Sequence, residues 1–158
     1  MREIIQGILE KVELENKETF SKFLYKCIKQ SKEHTSVTQI FRINLFFAGL
    51  EKFANTLPKD KRFLFGVTTL EAILAELGFA IEPEEAFVLY QLRDLGKFKI
   101  KDSKLYEQLK APWGLYKDYA LTPQDFTLTI KALRRMALIE YRKGSLNLKE
   151  NITITYKN

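Results

Sequence analysis

Residues 120–156 read ALTPQDFTLTIKALRRMALIEYRKGSLNLKENITITY, and the local signals in this stretch decide the fold. Thr122 offers a hydroxyl to the unpaired amides of a first helical turn, and Pro123 sits at the first helical position, where its missing N–H removes no bond. Phe126, Ile130, Leu133 and Ala137 then recur at steps of four, three and four, which predicts a helix with one narrow apolar stripe. After Met136 the period becomes two: Ile139 and Tyr141 point one way, Glu140 and Arg142 the other. Lys143-Gly144 suits a two-residue turn, and Leu146 and Leu148 continue the alternation on a returning strand. Ile152, Ile154 and Tyr156 alternate once more after a polar break at residues 149–151, which allows a third short strand.

The residues upstream complete the pattern. Pro83, Glu84 and Glu85 open a helix at the end where carboxylates suit its dipole; Val88, Leu89, Leu92 and Leu95 give it an apolar side, and Gly96 ends it. KFKIK, residues 97–101, alternates with Phe98 and Ile100 inward. Asp102 is placed to cap a short helix carrying Leu105, Tyr106 and Leu109, which Pro112 is expected to stop. The order is helix, short strand, helix, helix, hairpin. It resembles the winged helix-turn-helix superfamily, and LRRMALIEYRKG, Leu133 to Gly144, is similar to the end of a recognition helix running into its wing. The expected class is therefore mainly α with a small antiparallel β-hairpin: an N-terminal helical region over residues 1–82 and a C-terminal winged helix over residues 83–158.

The N-terminal residues predict three helices. Ile4, Ile5, Ile8, Leu9 and Val12 form the apolar side of the first, and Asn16 caps a second whose Phe20, Phe23, Leu24, Cys27 and Ile28 share a face. Ser36 with Gln39 has the spacing of a capping box, which opens a third helix to about Asn55. Val37, Ile40, Phe41, Leu45 and Ala48 make one face of it, but Ile43, Phe46, Phe47, Leu50 and Phe53 lie elsewhere around the cylinder. Such a helix is central in its domain or buried against another chain. A homodimer contact through Ile43, Phe46, Phe47, Leu50 and Phe53 is the expectation. Phe63, Leu64, Phe65 and Val67 suggest a short extended piece, followed by a helix capped at Thr68 or Thr69 and closed by Gly78.

The chain of 158 residues is 46% hydrophobic and 29% charged, with a net charge of +6, enough for one good core or two small ones. Its charge is uneven: residues 69–96 carry one basic and six acidic side chains, residues 97–158 thirteen and six. This asymmetry favours an anionic partner, nucleic acid first. A single cysteine, Cys27, and no secretory leader point to a reducing cytoplasm. The most apolar run, Ile40 to Leu50, is too short for a bilayer crossing and includes Arg42 and Asn44.

No catalytic signature stands out. His34 is the sole histidine and lacks companions at metal-ligand spacing, Cys27 lies on an apolar stripe, and Glu82, Glu84 and Glu85 are explained by a helix start. A non-enzymatic protein without metal or cofactor is expected. The outward face of the helix after Pro123 is more informative. Gln124, Thr127, Lys131, Arg134 and Arg135 suit base edges and phosphates, and Arg142 and Lys143 on the wing suit neighbouring phosphates. Double-stranded DNA is the expected partner, for a regulator or a DNA-associated accessory factor. Leu128, exposed in the middle of that face, and the aromatic joint with Trp113 and Tyr116 favour the alternative, a protein-interaction adaptor in a larger assembly.

Overall fold

The computed structural model describes residues 1–31, 38–94 and 99–157. Along the chain they form α1 (Arg2–Lys11), α2 (Lys17–Cys27), β1 (Ile28–Gln30), β2 (Thr38–Asn44), α3 (Glu51–Ala54), α4 (Lys59–Glu76), α5 (Pro83–Asp94), β3 (Lys99–Lys101), α6 (Asp102–Tyr116), α7 (Pro123–Arg135), β4 (Ile139–Arg142), β5 (Ser145–Leu148) and β6 (Asn151–Lys157). The class is mainly α with small antiparallel sheets. Two compact units divide the chain: residues 1–80 with 150–158, and residues 81–149.

In the first unit, α1 and α2 form as their spacing requires. Ile4, Ile5 and Ile8 are buried on α1, Phe20, Phe23, Leu24 and Cys27 on α2, and the Asn16 side chain accepts a hydrogen bond from the Thr19 amide at 3.1 Å. The third expected helix is absent. Residues 38–44 are instead the central strand of a sheet ordered β1-β2-β6, with Ile43 opposite both Ile28 and Ile152. Ser36 and Val37, where that helix was to begin, lie outside the described residues, as does His34.

The strand explains why residues 40–53 looked apolar all round. Phe41 and Ile43 are fully buried from β2, and the chain then bends sharply, with Phe47 at φ 44° and Gly49 at φ 98°. Phe47 is nevertheless completely buried, and Leu50 nearly so, at 2% exposure. A left-handed backbone costs a residue with a Cβ about 1–2 kcal/mol. Burying a phenylalanine gains about 1.5–3 kcal/mol, so the bend is held by what it buries. Phe53 packs within the unit, its ring on Phe20 and Phe23 at 5.0 and 5.3 Å between centroids. Of the five residues expected at a dimer contact, Ile43, Phe47 and Leu50 are buried, and Phe46 and Phe53 are half-buried. The amphipathic argument for a homodimer ends with the helix that carried it.

Helix α4 is also longer than expected, because the supposed extended piece over Phe63, Leu64, Phe65 and Val67 is its first half. Leu64, Thr68 and Ala75 face outward at helical spacing while Phe65, Val67, Leu70, Ile73 and Leu74 are buried. Its C-terminus closes on Gly78, at φ 95°, whose amide and that of Phe79 reach back to the carbonyls of Ala75 and Leu74. The last strand joins this unit too. β6, the third short strand that the alternation allowed, pairs with β2 along its whole length, from Asn44–Asn151 to Thr38–Lys157, so the expected 83–158 boundary closes at Lys149 instead.

The second unit follows the expected element order. α5 is buried continuously from Glu85 to Arg93 and packs against α7 and β5; Leu95, Gly96, Lys97 and Phe98 lie outside the described residues. β5 is central in a sheet ordered β3-β5-β4, with Leu146 opposite Ile100 and Tyr141. Lys143 and Gly144 both have positive φ, 52° and 78°, the pairing that a two-residue turn of matching twist needs. One boundary differs: α6 runs through Pro112 to Tyr116. Pro112 removes one intrahelical bond, but two buried leucines before it and Trp113 after it, 2% exposed, keep the helix on the core.

Candidate nucleic-acid interface

The local geometry of α7 is set by its two ends. Thr122 Oγ1 accepts from the Asp125 amide at 3.1 Å, and Pro123 follows it. At the other end the amides of Ala137 and Leu138 reach the carbonyls of Arg134 and Leu133, with Ala137 at φ 60°. That cap turns Ala137 out of the expected core stripe to an exposed position and puts Leu138, fully buried, in its place. Phe126, Ile130 and Leu133 form the buried side as expected.

The fixed inner side fixes the outer one. Gln124, Thr127, Leu128, Lys131, Arg134 and Arg135 are all exposed, and they fall within an arc of about 120° at the helical angle of about 100° per residue. Arg142 and Lys143, on the hairpin that follows, are exposed as well. Residues 126–149 hold six basic side chains and one acidic one, Glu140. Arg142 and Lys149 stand 3.7 and 3.9 Å from the Glu140 carboxylate, and among the described residues Lys131 and Lys143 have no ion-pair partner. Leu128 is 64% exposed in the middle of the face.

A link between helix and hairpin went unread in the sequence. The Arg134 guanidinium lies 4.9 Å from the centre of the Tyr141 ring, and the Tyr141 hydroxyl donates to Asp102 Oδ2 at 3.2 Å. That hydrogen bond pushes the Tyr141 phenol above its ordinary pKa. The other Asp102 oxygen accepts from the Ser103 amide at 2.7 Å, and the Asp102 amide donates to the Gly144 carbonyl at 3.3 Å. Arg134, Tyr141 and Asp102 thus tie the end of α7, β4 and the start of α6 together. Alternation placed Tyr141 on the same side of β4 as Ile139, and no spacing rule couples residues 39 positions apart; only the sheet register does.

The aromatic joint is mostly core. Trp113 is buried against Phe87, 5.1 Å away edge-on, and Tyr116 stacks on the same ring at 5.1 Å. Of the residues expected at a protein contact, Trp113 is therefore buried, Tyr116 is half-buried, and Leu128 is open. The Trp113 indole N–H has no hydrogen-bond partner among the described residues; a buried donor left unpaired costs about 1–3 kcal/mol. Next to it is an open cavity of about 260 Å³ that contains the side chains of Glu82, Glu84, Glu85 and Asp125 in its wall, with Tyr119 and Leu128. Glu85 accepts from the Glu82 amide at 2.9 Å, and burial, followed by the neighbouring Glu82 and Glu84 charges, raises its pKa. Lys117 pairs with Glu84 at 3.2 Å, which holds the ammonium proton more tightly than usual. No group of three or more metal-ligating side chains among the described residues is arranged to hold an ion, and no described helix is long and apolar enough to cross a membrane.

Comparisons of the chain with protein-family models, curated proteins and solved structures found no match.

Proposed function

We propose that residues 81–149 are a winged-helix domain that binds double-stranded DNA, with α7 in the major groove and the β4–β5 turn on the flanking phosphates, in a cytoplasmic regulator or DNA-associated accessory factor. The observation that carries this reading is the single exposed face of Gln124, Thr127, Lys131, Arg134 and Arg135, continued by Arg142 and Lys143. The element order and the β3-β5-β4 sheet support it, and so does the concentration of positive charge after Phe126. A helix fits the major groove, Gln and Arg match adenine and guanine edges, and lysines on either side hold phosphates. Arg134, over the Tyr141 ring, links the helix to the hairpin as well as contributing charge. Cys27, buried and in no disulfide, is consistent with a reducing compartment.

Salt dependence tests the reading. If about four phosphates are neutralised, log affinity for a duplex falls with log salt at a slope near about −3.6, because each contact releases condensed counterion. Lys131→Ala or Arg142→Ala is expected to weaken binding to every sequence and flatten the slope. Gln124→Ala or Arg135→Ala is expected to relax preference at individual base pairs by about 1–3 kcal/mol. No duplex binding at low salt removes the proposal.

A second reading, a protein-contact module on the same scaffold, is favoured by Leu128 and Tyr119, 64% and 55% exposed. Leu128→Lys separates the two: it preserves or strengthens DNA association and damages a protein contact.

A further inference from the structure

The cavity beside α7 has a chemistry opposite to that of the neighbouring basic face. Its wall presents the carboxylates of Glu82, Glu84, Glu85 and Asp125. Both α5 and α7 begin here, and carboxylates near helix starts are ordinarily explained by the dipole, equivalent to about half a positive charge at each N-terminus. Two such half-charges, Lys117 and Arg135, whose charge reaches Glu85, still do not balance four carboxylates. Glu84 is answered by Lys117 and Glu85 by the Glu82 amide, but among the described residues the carboxylates of Glu82 and Asp125 have no cationic partner. Both residues are exposed.

Two further observations narrow the ligand. Trp113 lines the same cavity, is 2% exposed, and its indole N–H lacks an acceptor among the described residues. Tyr119 and Leu128, more than half exposed, give the wall an aromatic and an aliphatic surface. A bare metal ion uses neither an N–H donor nor an apolar rim. A peptide carrying a basic side chain uses all three parts: a cation for the carboxylates, an alkyl stem for the rim and a main-chain carbonyl for the indole.

We propose that this cavity docks an arginine- or lysine-bearing peptide segment of a partner protein, with the cation on Glu82 and Asp125, the stem against Tyr119 and Leu128, and a peptide carbonyl accepting from the Trp113 indole. This deepens the protein-contact reading of the second unit, on which it rests, and uses carboxylates instead of the basic groups proposed for DNA. Duplex affinity reports on Lys131 and Arg142, whereas peptide binding reports at the indole, so either fails with the other intact.

Trp113 is the one tryptophan of the sequence, so its indole gives a single ¹H–¹⁵N signal that serves as the reporter. The full chain is titrated with a blocked Leu-Arg-Leu peptide and with the same peptide carrying neutral citrulline for arginine. The expected result is a saturable shift of the indole signal with the arginine peptide at an affinity at least several-fold tighter than with citrulline. Glu82→Gln and Asp125→Asn, both at exposed side chains, are each expected to weaken the arginine peptide about threefold, the size of a partly exposed ion pair, with thermal unfolding unchanged. Equal shifts from both peptides, no saturable shift, or affinities untouched by the two variants overturn the proposal. An indole signal that moves with duplex DNA and not with peptide overturns it as well and assigns the cavity to nucleic acid.

Discussion

Residues 121–148 and residues 38–55 are both rich in large apolar side chains, yet they are shaped by different forces. In the first stretch the backbone carries its own instructions: Thr122 caps, Pro123 starts, and Lys143-Gly144 turns, with hydrogen bonds and dihedral angles that agree with each choice. The second has a strand whose partners are 11 to 15 residues back, in β1, and more than 100 residues ahead, in β6, followed by a bend in which Phe47 takes a left-handed conformation. Local chemistry sets the elements of the first. The strand of the second is stable only as part of a packed sheet, because its backbone partners lie in β1 and β6.

The largest expected effect is at Phe47. A carboxylate at this fully buried site is not solvated, so Phe47→Glu is expected to destabilise the first unit by about 4 kcal/mol or more, seen as loss of cooperative urea unfolding. A variant that stays folded while its mass in solution falls would break the comparison and restore an intermolecular contact at this residue.

A smaller loss is expected in the first stretch. Leu133 is fully buried on α7, and Leu133→Ala should cost about 2–5 kcal/mol in thermal or urea unfolding. A loss below about half a kcal/mol, the surface range, would mean that the helix presents its other side to the core.

The smallest effect has the opposite sign. Ala137 is held at φ 60° with an exposed side chain, so unlike Phe47 it buries nothing to offset its backbone. Ala137→Gly is expected to stabilise the protein by up to about 1 kcal/mol, a rise of a few degrees at most in the unfolding midpoint. Should it destabilise instead, the cap of α7 is held by contacts of the Ala137 methyl group and not by the hydrogen bonds of Ala137 and Leu138.

The exposed basic face was legible because a buried stripe on a helix also defines its opposite side: once Phe126, Ile130 and Leu133 face inward, Gln124, Lys131 and Arg135 face outward. The cavity was legible only in pieces. Glu82, Glu84 and Glu85 stood out as a helix start and Trp113 as a loop aromatic, but 29 residues separate Glu84 from Trp113, and their meeting depends on the packing of α5 with α6. Pro112 was a misleading stop, since a proline inside a helix loses one hydrogen bond while the leucines before it and Trp113 beyond it gain a core.

By itself the sequence determined the elements whose signals are local: α1, α2 and α7, the β4–β5 turn, the start of α5 and the sign of the charge after Phe126. Caps, turn residues and helical stripes act over four residues or fewer, so they are complete within the text of the chain. The tertiary structure alone decided that residues 38–44 are a strand and that β6 leaves the hairpin to pair with β2. It also decided that Phe47 pays for a strained backbone by being buried. A strand's hydrogen bonds are made to residues at any distance along the sequence, and an apolar run satisfies a buried strand and a buried helix equally well until its partners are in place.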